Sequence, residues 1–350
     1  MVLRHTDAPI KVFGVPNIEK TGVFERLPSD VREKLPSLEF LGKRTPGARV
    51  AFRTNAPSFK VKVSLKTLSI DIGMSIYSAQ SALVYLGPRQ KSVFLGLVNP
   101  PNYETKCFER SFDKSNAEEE ITIFLPRNEV IDYVEIEIPD GYEVCAPTPY
   151  KYPRPAIFYG SSITEAAHAS NPCASYSALI SRHLDLDYYN FGFSGSCKGE
   201  IEMADYINTL DFSLFVYDYD HNAPTPEHLE KTHEMFFKRI REAHPSVPVI
   251  MLTRPTATHG DDENKRREIV RKTYENARAG GDKNVYFIDG IDYFKDFEDK
   301  SVCFTDTIHP TDLGFYKMVE KIEPVIKKAL TEVSKHIYNN PLSWETDELN

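Results

Sequence analysis

Polar and apolar residues alternate in two different ways along this chain, and the change falls near residue 150. Before it, short apolar or alternating segments follow one another at residues 49–52, 59–65, 81–86, 92–97, 120–125 and 133–138. Phe59-Lys60-Val61-Lys62-Val63 alternates strictly, the period of a half-buried strand. Turn-forming stretches such as Asn55-Ala56-Pro57-Ser58, Gly87-Pro88 and Asn99-Pro100-Pro101-Asn102 separate the segments, and no helix of ordinary length is predicted after about Leu41. This pattern predicts an all-β sandwich or jelly roll. After it, apolar strands at residues 157–159, 188–193, 214–217, 247–252 and 285–288 alternate with helical patterns at 173–183, 198–207, 226–243, 262–279 and 311–337. Repeated βα units predict a parallel sheet covered by helices on both faces, an α/β domain whose ligands bind beyond the carboxyl ends of the strands. Between the halves, residues 146–155 carry four prolines in ten positions, which makes the stretch extended and semi-rigid. The expected organisation is therefore a β-sandwich over 1–150, an α/β domain over 151–340 and a tail over 341–350.

Composition narrows the function classes. At 350 residues and 41% hydrophobic the chain can bury a core in each of two domains. A net charge of -9 without a block of Lys and Arg argues against nucleic acid, whose phosphates demand a basic face. No apolar run approaches membrane-spanning length, and the opening Met1-Val2-Leu3-Arg4-His5-Thr6-Asp7 lacks the basic-then-apolar order of a signal peptide, so a cytoplasmic location is expected. Cys107, Cys145, Cys173, Cys197 and Cys303 are odd in number and contain no Cys-x-x-Cys pair, which suits free thiols rather than a disulfide framework or a metal site.

The candidate chemistry sits where the second half's strands end. Ala156-Ile157-Phe158-Tyr159-Gly160 is an apolar run that halts at glycine and delivers Ser161 and Ser162 into a turn, making Ser162 a candidate nucleophile. A serine needs a base, a group that orients the base and donors for the oxyanion. After the second strand, Asn190-Phe191-Gly192-Phe193-Ser194-Gly195 offers backbone N–H groups at a glycine turn; after the third, Asp218-Tyr219-Asp220-His221-Asn222 offers a side-chain amide. Before the final helix, Asp306-Thr307-Ile308-His309-Pro310 sets a carboxylate three residues ahead of an imidazole, so that one turn can hold Asp306 against one ring nitrogen while the other faces Ser162.

These four blocks, in this order, resemble those of the SGNH (GDSL-type) hydrolases, and the resemblance covers about the last 190 residues. It implies a flavodoxin-like hydrolase domain in which Ser162 is the nucleophile, His309 the general base and Asp306 its orienter. The oxyanion hole would comprise the Ser162 and Gly195 N–H groups and Asn222. Ser161 stands where the family's name-motif has Asp, and Asp220-His221 precedes Asn222 where Gly-x-Asn-Asp is common. A sandwich ahead of such a domain resembles the two-domain carbohydrate esterases. The implied function is a serine esterase acting on short-chain, chiefly acetyl, esters of an acylated small molecule or oligosaccharide, with no cofactor and no metal. The alternatives are a lipase- or thioesterase-type acyl hydrolase and a catalytically inactive carbohydrate-binding protein. A lipase would want an apolar lid, which residues 165–171 are too small and polar to form.

Other residues invite blander readings. Glu200 is a candidate pocket residue or simply a helix start; Arg254 and His221 are candidates to contact substrate, with a surface salt bridge the commoner fate of such an Arg. Asp218, Asp220 and His221 could be metal ligands beside Asp306 and His309, but a hard-metal site wants more carboxylates and a zinc site more His or Cys. His168 reads as a solvent-facing loop residue.

Overall fold

A computed structural model describes residues 1–256 and 260–339; the expected tail at 341–350 lies outside the described residues. In the first half, β1 (Val2–Arg4), β2 (Lys11–Phe13), β3 (Arg49–Thr54), β4 (Ser58–Leu65), β5 (Ala82–Leu86), β6 (Val93–Val98), β7 (Cys107–Asp113), β8 (Glu119–Phe124), β9 (Ile131–Glu137) and β10 (Val144–Cys145) form two antiparallel sheets. One runs β1-β9-β4-β7; the other runs β10-β3-β8-β5-β6 with β2 added on β3. The sheets face each other across one core, in which Val50, Phe52 and Ile121 of one meet Val61, Val63 and Ile136 of the other. Each of the six strands expected here is present, with ends within two residues. β7 was not expected, because only Phe108 and Phe112 of its seven residues turn inward and the polar residues between them erase the alternation.

In the second half, β11 (Tyr152–Gly160), β12 (Leu186–Gly192), β13 (Leu214–Asp218), β14 (Val249–Leu252) and β15 (Val285–Ile288) form a parallel sheet ordered β12-β11-β13-β14-β15, the flavodoxin-like arrangement. β11 begins five residues before the expected start, since the extended proline-rich stretch continues straight into it. Pro153 and Pro155 cannot donate to the ladder, and its register slips between Tyr152 and Ala156.

Short helices α1 (Ile18–Thr21), α2 (Ser29–Lys34) and α3 (Ile76–Ala79) lie in the first half; α4 (Ser162–Glu165), α5 (Tyr176–Leu184), α6 (Ile201–Ile207), α7 (Pro226–Ala243), α8 (Asp261–Ala279) and α9 (Asp312–Asn339) follow. Successive residues of β11 turn to opposite faces. Phe158 joins the core under α5 and α9, and Tyr159 joins the one under α6, α7 and α8. The first half contributes to both cores. Leu27, Val31, Leu35 and Leu38 pack beside Tyr159 and Phe191, while Leu83 and Phe124 pack on the other side. The two halves therefore share buried apolar surface, so the parallel sheet is covered partly by residues that precede it by more than a hundred positions. No helix among the described residues is long and apolar enough to cross a membrane. All five cysteines are unpaired, and Cys173, Cys197 and Cys303 are buried.

Candidate active site

β11 ends opposite both neighbours: Gly160 pairs with Gly192 of β12 and with Asp218 of β13. The three following turns thus leave the sheet at one edge and are tied together there. Ser161 donates its N–H to the Asp218 carbonyl (2.8 Å), Phe193 donates to the Gly160 carbonyl (2.9 Å), and the Asn222 side-chain amide donates to the Phe193 carbonyl (3.1 Å). Ser161, which replaces the aspartate of the family motif, caps α4 by accepting the Ile163 N–H (3.2 Å). That makes Ser162 the first residue of α4, where a backbone N–H has no intrahelical acceptor. Gly195, at φ +67°, is exposed in the second turn, and its N–H has no acceptor among the described residues.

The fourth segment approaches the same edge from the far end of the chain. Phe304 and Pro310 bridge across it, and the Thr305 N–H donates to the His309 carbonyl (2.9 Å), closing a tight turn. Inside that turn Asp306 Oδ1 accepts the N–H groups of Ile308 (2.7 Å) and His309 (2.6 Å), leaving Oδ2 for the His309 ring at Nδ1 (2.8 Å). The other ring nitrogen, Nε2, lies 2.9 Å from Ser162 Oγ. Partial burial raises the Asp306 pKa, but the His309 N–H, the His309 ring and the Ile308 N–H outweigh it and hold the carboxyl well below the usual carboxylate range. Asp306 is consequently an anion at neutral pH.

His168 does not face solvent. Its ring is half-buried and stacks on His309, with centroids 4.6 Å apart and planes 26° from parallel. Gly73 of the first half also stands against this ring, where a Cβ would come within 2.6 Å of His168 Cε1. Burial, then the neighbouring His309, lowers the His168 pKa, so its ring is neutral beside the candidate base. No sequence periodicity signals this residue, because both contacts join positions far apart in the chain. His168, Asp306 and His309 place ligand-type atoms within 4.8 Å of one another. Both nitrogens of His309 are engaged by Ser162 and Asp306, however, and lone pairs of two near-parallel rings lie in separate planes, so they do not converge as metal ligands would.

The three candidate substrate residues share no hydrogen bond with Ser162, Asp306 or His309. Glu200 heads α6, with its carboxylate accepting the Lys198 N–H (3.1 Å), and burial raises its pKa. Arg254 is buried rather than on the surface; its N–H donates to Asp220 (3.1 Å) and its guanidinium lies 3.5 Å from Glu263. His221 is pushed down to about 2 by burial and by Arg254 and Arg266, so it is neutral.

Below the edge, Asp218 and Asp220 are both buried and each retains one carboxylate oxygen without a partner. Burial raises the pKa of each, and for Asp218 the neighbouring Asp220 raises it further. A carboxyl raised above its unfolded value contributes stability that is complete below that value and is lost as pH rises through the folded one. The thermal midpoint should thus fall between pH 4 and pH 8 by more in the wild type than in Asp218→Asn, which keeps an oxygen for the Thr164 hydroxyl (3.0 Å) and cannot ionise. Parallel curves for the two proteins in a calorimetric pH series would contradict this.

Residues 153–327 match the GDSL-like Lipase/Acylhydrolase family, and residues 4–144 match the N-terminus of SGNH-hydrolase-type esterases. Among solved structures, one described as a GDSL-like lipase from Bacteroides ovatus is 25% identical, with a TM-score of 0.81 over 95% of this chain and 98% of that one. The salicylyl-acyltransferase SsfX3 from a tetracycline biosynthetic pathway is 20% identical, with a TM-score of 0.75 over 92% of this chain and 95% of that one. A family two carbohydrate esterase from Clostridium thermocellum, in complex with cellohexaose, is 16% identical, with a TM-score of 0.62 over 82% and 93%. The last two likenesses carry the fold alone. No curated protein matches the sequence.

Proposed function

Because the chain belongs to the GDSL-like lipase/acylhydrolase family and carries the N-terminal half of SGNH-type esterases, we propose that it is a serine esterase that removes short acyl groups, chiefly acetyl, from carbohydrate. The observation that carries the reading is the unbroken hydrogen-bond chain from Ser162 Oγ through His309 to Asp306. In this mechanism His309 Nε2 takes the Ser162 proton as Oγ attacks the ester carbonyl. Asp306 holds the ring in the tautomer with hydrogen on Nδ1 and stabilises the imidazolium. The oxyanion is received by the N–H groups of Ser162 and Gly195 and by the Asn222 amide. Collapse expels the sugar oxygen, which takes the proton from His309. Water, deprotonated by the same ring, then releases the acyl group as a carboxylate.

An oxyanion donor is worth about 3 kcal/mol, so Asn222→Ala should lower kcat on 4-nitrophenyl acetate by on the order of a hundredfold or more with little change in KM. Unchanged turnover would remove Asn222 from the hole. The carbohydrate substrate is a reading taken from the name of the family two carbohydrate esterase, whose likeness spans 82% of this chain, and the small acyl group rests on the short polar segment 165–171 after Ser162. A second reading, a larger apolar acyl or alcohol group, is favoured by Ile70, Ile72 and Tyr77, which are exposed on the first-half segment that reaches His168 through Gly73. Hydrolysis of 4-nitrophenyl esters from acetate to octanoate, alongside release of acetate from acetylated oligosaccharides followed by mass spectrometry, separates the two. A rate that climbs with chain length and no deacetylation would favour the second.

A further inference from the structure

We propose that Glu165 is a positioning residue for the oxyanion hole: its carboxylate, held beside the buried Arg26 of the first half, fixes the Ser194-Gly195 turn that presents the Gly195 N–H. The inference rests on the reading of Ser162 as nucleophile and assigns a part to a group that the mechanism above leaves idle.

Glu165 closes α4, three residues after Ser162, and is 1% exposed. A carboxylate taken out of water is costly unless it is both paired and hydrogen-bonded. One of its oxygens, Oε2, accepts the Ser194 N–H at 2.7 Å and also the Ser194 hydroxyl. The other, Oε1, has no hydrogen-bond donor and lies 3.7 Å from Arg26 Nη2. All of its directional bonding is thus aimed at the residue before Gly195.

Positive charge is supplied nearby by two buried arginines. Arg26 is fully buried, donates to the carbonyls of Asn190 (2.9 Å) and Gly192 (2.5 Å) at the end of β12, and lies 4.4 Å from the centre of the Phe193 ring. Arg127, also buried, is held by Ser78 (2.9 Å) and Met74 (2.7 Å). Burial lowers the pKa of both arginines to about 10, and the Glu165 carboxylate is the largest opposing influence on each. The two bonds to Oε2 tie the Ser194-Gly195 turn to the end of α4. Rigidity of this kind is what a preorganised oxyanion site requires, since its donors act without moving.

A purely structural role, as the counter-charge of Arg26 and Arg127, makes the opposite prediction from a positioning role when the charge and the acceptor are varied separately. Glu165→Gln removes the charge and keeps an oxygen at the reach of the Ser194 N–H. Glu165→Asp keeps the charge on the side facing Arg26 and draws the acceptor back by one methylene. In the full chain, with 4-nitrophenyl acetate and with competent sites counted by fluorophosphonate labelling taken to completion, Glu165→Gln should keep kcat within about threefold. Glu165→Asp should lose about tenfold or more in kcat while its KM stays within about threefold. The inference is overturned if Glu165→Asp is as active as wild type, or if Glu165→Gln loses as much as Glu165→Asp. Should one variant fail to fold, the other decides alone against the wild type by the same thresholds. Ser162→Ala is measured in parallel: if it retains turnover, the nucleophile reading falls and the inference with it, whereas its inactivity beside a fully active Glu165→Asp overturns the inference alone.

Discussion

His309→Ala is expected to lower turnover of 4-nitrophenyl acetate on the order of 10⁴-fold or more at every pH from 5 to 9, the scale on which serine hydrolases fail when the base is removed. Nε2 of this ring is the basic atom at 2.9 Å from Ser162 Oγ, and without it the hydroxyl proton has no hydrogen-bond acceptor among the described residues. His168 stacks on the His309 ring and makes no hydrogen bond to Ser162, whose Oγ is met by His309 Nε2. Only the neutral ring can accept the proton, and Asp306, held well below the usual carboxylate range, stays ionised at neutral pH and contributes no limb of its own to the pH profile. Turnover by His309→Ala within about tenfold of wild type would remove the base from the mechanism.

Gly192→Ala is expected to damage fold and activity together. A Cβ at this position would lie 2.6 Å from Glu165 Cα and 2.7 Å from the Thr164 carbonyl carbon, and closer still to the Glu165 nitrogen. These are backbone atoms of α4, which cannot rotate away as a flexible side chain could, so the methyl must push the helix off β12. Overpacking of this kind costs about 1–3 kcal/mol or more. The same movement displaces Ser162 from His309 and breaks the bond from the Asn190 amide to the Thr164 carbonyl (2.7 Å). Misplacement by about an ångström is worth on the order of a hundredfold in rate, so kcat per folded molecule should fall by that much alongside a lower thermal midpoint. A variant with both properties unchanged would show that α4 is not seated on Gly192 as described.

Much of the fold can be read from periodicity. The strand 285–288 and the helix 226–243 fall at their expected ends, because the apolar face of each is continuous and Pro226 marks a helix start. β7 and the early start of β11 escape the pattern, the first for want of inward apolar residues and the second because proline is a poor strand signal. At the site, Ser162, Asp306 and His309 stand out in the sequence since each lies in a short turn with its own local chemistry, and the fold brings them into contact. Glu165, His168 and Gly73 do not stand out. Their surroundings arise from tertiary contact: Glu165 meets Arg26 across 139 positions and His168 meets Gly73 across the junction of the halves. A Glu on a short helix and a His in a loop carry no sign of such partners.

The central claim, that Ser162 is a nucleophile activated by His309, is tested most directly by labelling the intact chain with a fluorophosphonate and locating the adduct by peptide mass spectrometry. One phosphonyl group per chain is predicted, on Ser162, at a rate that rises with pH in step with kcat/KM, with no adduct in Ser162→Ala and labelling slowed on the order of 10³-fold or more in His309→Ala. An adduct on another residue, or labelling of Ser162 at an undiminished rate in His309→Ala, would contradict it.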